Sequence, residues 1–146
     1  MNIYIATSWK NERTAALVAQ ILRGDGHHVD SFSDPSSDRY KFYHQEEMNG
    51  YSYKNAVHFL NDELPQREFV KDQALIDEAD ALLMIPPSGR AAHVQVGYAK
   101  GKGKLLYVWG ESPRGEIDLL NGFADAIIPV GHFEALQNRL LAHGQQ

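Results

Sequence analysis

Cysteine is missing from all 146 residues. Disulfides and thiolate metal sites are therefore excluded. There is also no apolar run approaching the roughly 18 residues of a membrane span, and no signal-peptide core. Neither membrane insertion nor secretion is expected, and a cytoplasmic location is the default expectation. Positive charge is in deficit: 14 Lys and Arg stand against 19 Asp and Glu, a formal net charge of −5. The basic residues cluster only at Lys100, Lys102 and Lys104, which disfavours a protein that tracks a nucleic-acid backbone. A small-molecule partner is the expectation instead. Histidine is present at His27, His28, His44, His58, His93, His132 and His143, but in no HExxH or other recognised ligand spacing. No metal site is expected, and most of these histidines read as surface or packing residues.

What is present is ordinary for one globular unit. The 43% hydrophobic and 23% charged fractions indicate neither disorder nor a fibrous repeat. A chain of this length buries about two-thirds of its unfolded surface in one core, so residues 1–146 read as a single domain.

Along the chain, strand and helix patterns alternate. Asn2 to Ala6 is a β-branched and aromatic run followed by the polar loop Thr7 to Asn11, and from Glu12 the apolar positions Ala15, Leu17, Val18, Ile21 and Leu22 recur at helical spacing up to Gly24-Asp25-Gly26. His28 to Phe32 reads as a second strand. Residues 33–66 differ in kind, being rich in Tyr, Asp, Ser and Asn; they form an excursion from the sheet in which Lys54 to Leu64 has helical potential. Its aromatics Tyr40, Phe42, Tyr43, Tyr51 and Tyr53 either pave a ligand site or cover a satellite core.

Arg67 to Glu78 reads as a helix leading into Ala81-Leu82-Leu83-Met84-Ile85, a continuous apolar run of the kind buried on both faces of a parallel sheet. Helix Ala92 to Lys100, strand Lys104 to Trp109, strand Ala126 to Val130 and helix His132 to His143 follow. The alternation predicts an α/β fold: a doubly wound, open parallel sheet of about five strands flanked by helices. Such sheets bind ligands beyond the carboxyl ends of their strands. That rule selects Thr7 to Asn11 and Pro86 to His93, where helix N-termini offer amide donors.

The segment Asp72 to Lys104 resembles the core of the nucleoside 2-deoxyribosyltransferase-like family. Asp72 stands eight positions before the aspartate of the Ala79-Asp80 pair that opens the apolar strand. A Pro-Ser-Gly-Arg loop with Ser88, Gly89 and Arg90 follows, and then His93-Val94-Gln95-Val96-Gly97-Tyr98-Ala99 with Gly101, Gly103 and Lys104. The opening strand and its loop with Trp9 also fit. The resemblance covers most of the chain and is weakest over 33–66. It implies cleavage of an N-glycosidic bond in a nucleoside or nucleotide, with water or a second nucleobase accepting the sugar. It implies no cofactor, and a homodimer or larger assembly in which a neighbour helps close the pocket.

The family's mechanism explains its residue types. A glutamate attacks the anomeric carbon through an oxocarbenium-like transition state and forms a glycosyl-enzyme intermediate, while the aspartate matching Asp72 serves the leaving base or the sugar. In this chain the position of the nucleophile is Gln95. An amide is neither a competent nucleophile nor a counter-charge for the sugar, and loss of a nucleophile removes on the order of a million-fold in rate in a hydrolase. The chain is therefore expected to be nearly inactive by that mechanism. Gln95 is either an isosteric substitution or native to a homologue that binds without cutting; the intact Ser88, Arg90, Gly97 and Tyr98 around it favour the former.

Each candidate has a plainer reading. Asp72 is otherwise a solvated helix residue, and Asp80 reads as a structural cap rather than a ligand contact. Thr7, Ser8, Ser88, Gly89 and Arg90 are otherwise ordinary loop residues, but they sit where an anionic ligand group is best satisfied. His93 either touches a sugar hydroxyl or phosphate or merely neighbours the helix start. Trp9 either stacks on a base or packs near the sheet edge, and Tyr98 reads as core packing. Two further functions compete: hydrolysis of a larger N-glycoside such as a nicotinamide dinucleotide, and a non-catalytic nucleotide sensor that takes Gln95 at face value.

Overall fold

A computed structural model describes residues 1–44, 55–111 and 119–144. Its sheet has five parallel strands, β1 (Asn2–Thr7), β2 (His28–Asp30), β3 (Ala81–Ile85), β4 (Leu105–Trp109) and β5 (Ala126–Ile128), in the spatial order β2-β1-β3-β4-β5. The described α-helices are α1 (Glu12–Gly24), α2 (Asp38–His44), α3 (Ala56–Leu60), α4 (Glu63–Glu78), α5 (Arg90–Gly101) and α6 (Phe133–Gly144). None is long and apolar enough to cross a membrane.

The period-two alternation of a strand divides the core. Ile3 and Ile5 of β1, with Leu83 and Ile85 of β3, pack on Ala15, Val18 and Leu22 of α1 and on Leu136 and Leu140 of α6. Tyr4 and Ala6, with Leu82 and Met84, pack on Ile76 of α4 and on Ala92, Val96 and Ala99 of α5. All five residues of β3 are buried, as a strand covered by helices on both faces requires. The doubly wound expectation is met.

Element boundaries differ from the sequence reading where tertiary contacts decide them. β2 stops at Asp30 because it is the sheet edge and pairs only with Asn2 to Tyr4; the chain then turns, with Asp34 N–H donating to the Ser31 carbonyl at 3.1 Å. α4 begins at Glu63, ahead of the expected Arg67, because the Asp62 side chain caps it by accepting from Leu64 N–H. Pro65 then lies in the first turn, where no amide donor is needed. The short α2 has no counterpart in the sequence reading. Tyr51, Tyr53 and the side chain of Tyr43 lie outside the described residues.

The order β2-β1-β3 puts a topological switch between β1 and β3. β1 leads to α1 on one face of the sheet and β3 leads to α5 on the other, so their carboxyl ends part and leave a crevice. The two loops that follow these strands are tied there. Asn11 donates through its side-chain amide to Thr7 Oγ1 at 3.0 Å and to the Pro87 carbonyl at 2.9 Å.

Candidate functional site

Tyr4 is the centre of the polar structure below this crevice. Its neighbours Ile3 and Ile5 face α1, so the pleat turns the Tyr4 side chain toward α4 and α5. The ring is fully buried, and its hydroxyl meets three side chains. It donates to Asp72 Oδ1 at 2.7 Å, and it accepts from Arg39 Nη1 at 2.7 Å and from Gln95 Nε2 at 2.9 Å. One hydroxyl hydrogen and both lone pairs are thereby used.

Gln95 Nε2 also donates to Asp72 Oδ2 at 2.9 Å. A carboxylate only accepts, so the amide nitrogen must face Asp72. The Gln95 carbonyl oxygen is left without a partner among the described residues. Arg39 completes the cluster from α2. Its Nη1 is 3.3 Å from Asp72 Oδ1, its Nη2 pairs with Asp30, and its guanidinium carbon lies 4.4 Å from the centroid of the Tyr4 ring.

Burial and charge set the protonation states. Burial raises the Tyr4 phenol far above its ordinary range; Arg39 opposes this and Asp72 reinforces it. Tyr4 is thus a permanent neutral donor. Burial also pushes the Asp30 carboxyl up, against the pull of the Arg39 charge. For Arg39 burial acts downward, but Tyr4, Asp30 and Asp72 together raise it overall. The cluster holds a buried cation shared between two carboxylates.

Above this floor lies a cleft of about 460 Å³, the size range of a small-molecule site. Thr7 at the end of β1 and Ser8 and Trp9 just after it line it, with Arg39 and Phe42 of α2, Phe59 and Leu60 of α3, Glu68, Phe69 and Asp72 of α4, and Gly89 and Gln95 at α5. The two loops selected from the strand ends therefore border one cleft. Glu68 lies one turn before Asp72 on α4. Its Oε1 faces the exposed cations Lys71, at 3.1 Å, and Arg67, at 3.6 Å, while its Oε2 is buried without a partner among the described residues.

The sequence-selected residues divide. Gln95 and Asp72 are in direct contact, and Thr7, Ser8, Trp9 and Gly89 border the same cleft. Ser88, Arg90 and His93 do not line it. Ser88 Oγ donates to the Ile85 carbonyl at 3.2 Å, Arg90 is exposed at the start of α5, and the His93 ring Nδ1 lies 2.9 Å from the Gly89 carbonyl. Trp9 both packs and lines the cleft, its ring 4.2 Å from that of Phe32. Asp80 takes a structural role, accepting from Asn2 N–H at 2.7 Å. Tyr98 packs on the α4/α5 core, while its hydroxyl donates to Asp77 at 2.9 Å and accepts from Gln73 at 2.9 Å.

Tyr4, Arg39 and Glu68 were not selected from the sequence. Two of them carried a usable signal: Glu68 and Asp72 have the i, i+4 spacing that places them on one helix face, and Arg39 and Phe42 have the i, i+3 spacing of a common buried face. Nothing in Asn2 to Ala6 distinguishes the Tyr4 hydroxyl from an ordinary strand aromatic.

Comparison with solved structures supports the same architecture. The fold is one seen in a 2-deoxyribosyltransferase. The chain superposes on that enzyme, from the psychrotolerant bacterium Bacillus psychrosaccharolyticus, with a TM-score of 0.62 and 19% identity, covering 94% of this chain and 91% of the other. It also matches the Clostridium botulinum CMP N-glycosidase BcmB with a TM-score of 0.56 and 16% identity, over 96% of this chain and 98% of that one. No family model matches the chain, and no curated protein matches its sequence.

Proposed function

We propose that the cleft binds a nucleoside or nucleotide with its N-glycosidic bond over Gln95, and that the chain as written holds this ligand without efficient cleavage. The observation that carries the proposal is the contact of Gln95 with both Asp72 and Tyr4 at the cleft floor. These are the positions at which the resemblance puts a glycosyl-accepting carboxylate and its partner aspartate. The two fold neighbours, by name a 2-deoxyribosyltransferase and a CMP N-glycosidase, favour this ligand class.

The hydrogen bonding bears on why an amide stands at residue 95. Glutamine donates to Asp72 and to Tyr4, whose hydroxyl hydrogen is already committed. A glutamate there would face the Asp72 carboxylate with no proton to give, and one of the two carboxyls would be held protonated. The surroundings therefore satisfy the amide that stands at residue 95.

Self-association belongs to the same proposal. Leu60, Phe69 and Val94 line the cleft yet are 54%, 61% and 72% exposed, the kind of apolar rim that a neighbouring copy covers. Sedimentation at micromolar concentration tests this, and a clean monomer would contradict it.

The test of binding is thermal shift with a panel of ribo- and deoxyribonucleosides, their 5′-phosphates and nicotinamide dinucleotide. A ligand at 100 times its dissociation constant adds about 2.7 kcal/mol of stability. A shift with a nucleoside or mononucleotide is the expected result, and the absence of any shift across the panel would contradict the reading.

A further inference from the structure

Glu68 is the one cleft-lining group of the described residues that offers a buried, unpartnered carboxylate oxygen. Its other oxygen is occupied at the surface by Lys71 and Arg67, whose side chains are 43% and 58% exposed; such pairs are weak. A buried acceptor with no donor is costly to maintain, and a turn of the Glu68 side chain toward the cleft that it lines would bring this oxygen to an arriving donor.

Position says which part of a ligand would bring it. This step rests on the proposed function: with the glycosidic bond over Gln95, the sugar occupies the end of the cleft formed by Gln95, Asp72 and Gly89. Glu68 lies four residues back along α4, a displacement of about 6 Å at 1.5 Å per residue. That is roughly the distance from the glycosidic bond to the far edge of a nucleobase. Phe59, Leu60, Pro65 and Phe69 line the cleft alongside Glu68, and such apolar walls suit a flat aromatic ring rather than a hydroxylated sugar.

We propose that Glu68 reads the exocyclic edge of the base and selects amino-bearing nucleobases, of the cytosine and adenine type, over their keto counterparts. A carboxylate accepts hydrogen bonds and cannot donate. An exocyclic amino group supplies the missing donor and forms a charge-assisted hydrogen bond, whereas a carbonyl at the same place sets two acceptors against each other. Asp72 presents a second acceptor-only group on the same helix face, one turn on, so this wall of the cleft rewards donors throughout.

The experiment is calorimetric titration of the full chain with cytidine against uridine, and with adenosine against inosine and against purine riboside, which lacks the amino group altogether. The amino-bearing member of each set is expected to bind roughly tenfold or more tightly. Glu68→Gln, whose amide can turn either its donor or its acceptor to the ligand, is expected to bring each preference below about threefold. Equal or tighter binding of the keto members by the unmodified chain overturns the proposal without recourse to any variant. So does a preference that survives Glu68→Gln. If none of these nucleosides binds, the nucleoside reading itself fails and this inference falls with it. Binding without base preference leaves that reading standing and removes only the inference.

Discussion

Arg39 and Asp72 meet at 3.3 Å with the Tyr4 hydroxyl bonded to both. The contact joins α2, which lies in the aromatic excursion, to α4, which carries the motif aspartate. The side chain of Arg39 is 9% exposed and also holds Asp30. It is the only cation among the described residues that line the cleft.

Replacing Arg39 with methionine keeps most of its volume and removes its charge. Asp30 and Asp72 then share a buried region without a cation, and breaking such an arrangement from one side costs about 3–5 kcal/mol. Urea unfolding at neutral pH is expected to show this loss. A change below 1 kcal/mol would mean that water replaces the guanidinium at little cost.

Tyr4→Phe removes the shared hydroxyl but leaves the direct contacts of Gln95 and Arg39 with Asp72. A loss of about 1–3 kcal/mol is expected, the cost of leaving buried polar groups under-satisfied. Any ligand shown to bind should also weaken, because Gln95 and Asp72 are no longer held in place. An unchanged melting temperature and unchanged affinity would show that the hydroxyl organises nothing.

Gly110, at the carboxyl end of β4, has φ of +126°, and a Cβ there would stand 3.3 Å from Pro86 Cδ. Gly110→Ala combines an unfavourable backbone conformation with pressure on the loop after β3, and a destabilisation on the order of 1–3 kcal/mol is expected. Thermal unfolding measures it. A neutral result would mean that the loop moves aside freely.

The fold was legible in the sequence because its signals are local. The apolar run of β3, the helical spacing of α1 and the glycine stops report burial and period directly. α2 escaped because its seven residues, Asp38 to His44, are mostly polar or aromatic, and the face it buries is decided by partners elsewhere in the chain. Within the candidate site, Asp72 and Gln95 were selected through a motif. The network joining them was not, since the target of the Tyr4 hydroxyl depends on how α2, α4 and α5 pack. Ser88 and Arg90 show the converse: closeness in sequence to a strand end does not set the direction of a side chain.

His27 is buried, and neither of its ring nitrogens has a partner among the described residues. Burial lowers its pKa, the N-terminal charge lowers it further, and Asp25 opposes both. The unfolded chain therefore takes up a proton at about pH 6.5 that the folded chain refuses. As pH falls through that value toward the lower folded pKa, stability is lost, by at most about 1.4 kcal/mol per pH unit. His27→Leu is expected to remove this component, so that its stability relative to the unmodified chain improves on going from pH 8 to pH 5.5. Denaturant unfolding at the two pH values checks it, and a difference independent of pH would contradict the account.

The central claim is that this cleft holds an N-glycosidic bond against residue 95 and that the amide there is what withholds cleavage. Its direct test is Gln95→Glu, assayed by chromatographic detection of free base from nucleosides, their 5′-phosphates and nicotinamide dinucleotide. Glutamate can attack the anomeric carbon and carry the sugar transiently. The account predicts base release by Gln95→Glu, none above background by the unmodified chain, and a drop when Asp72→Asn is added. No released base from any substrate that Gln95→Glu demonstrably binds would contradict it.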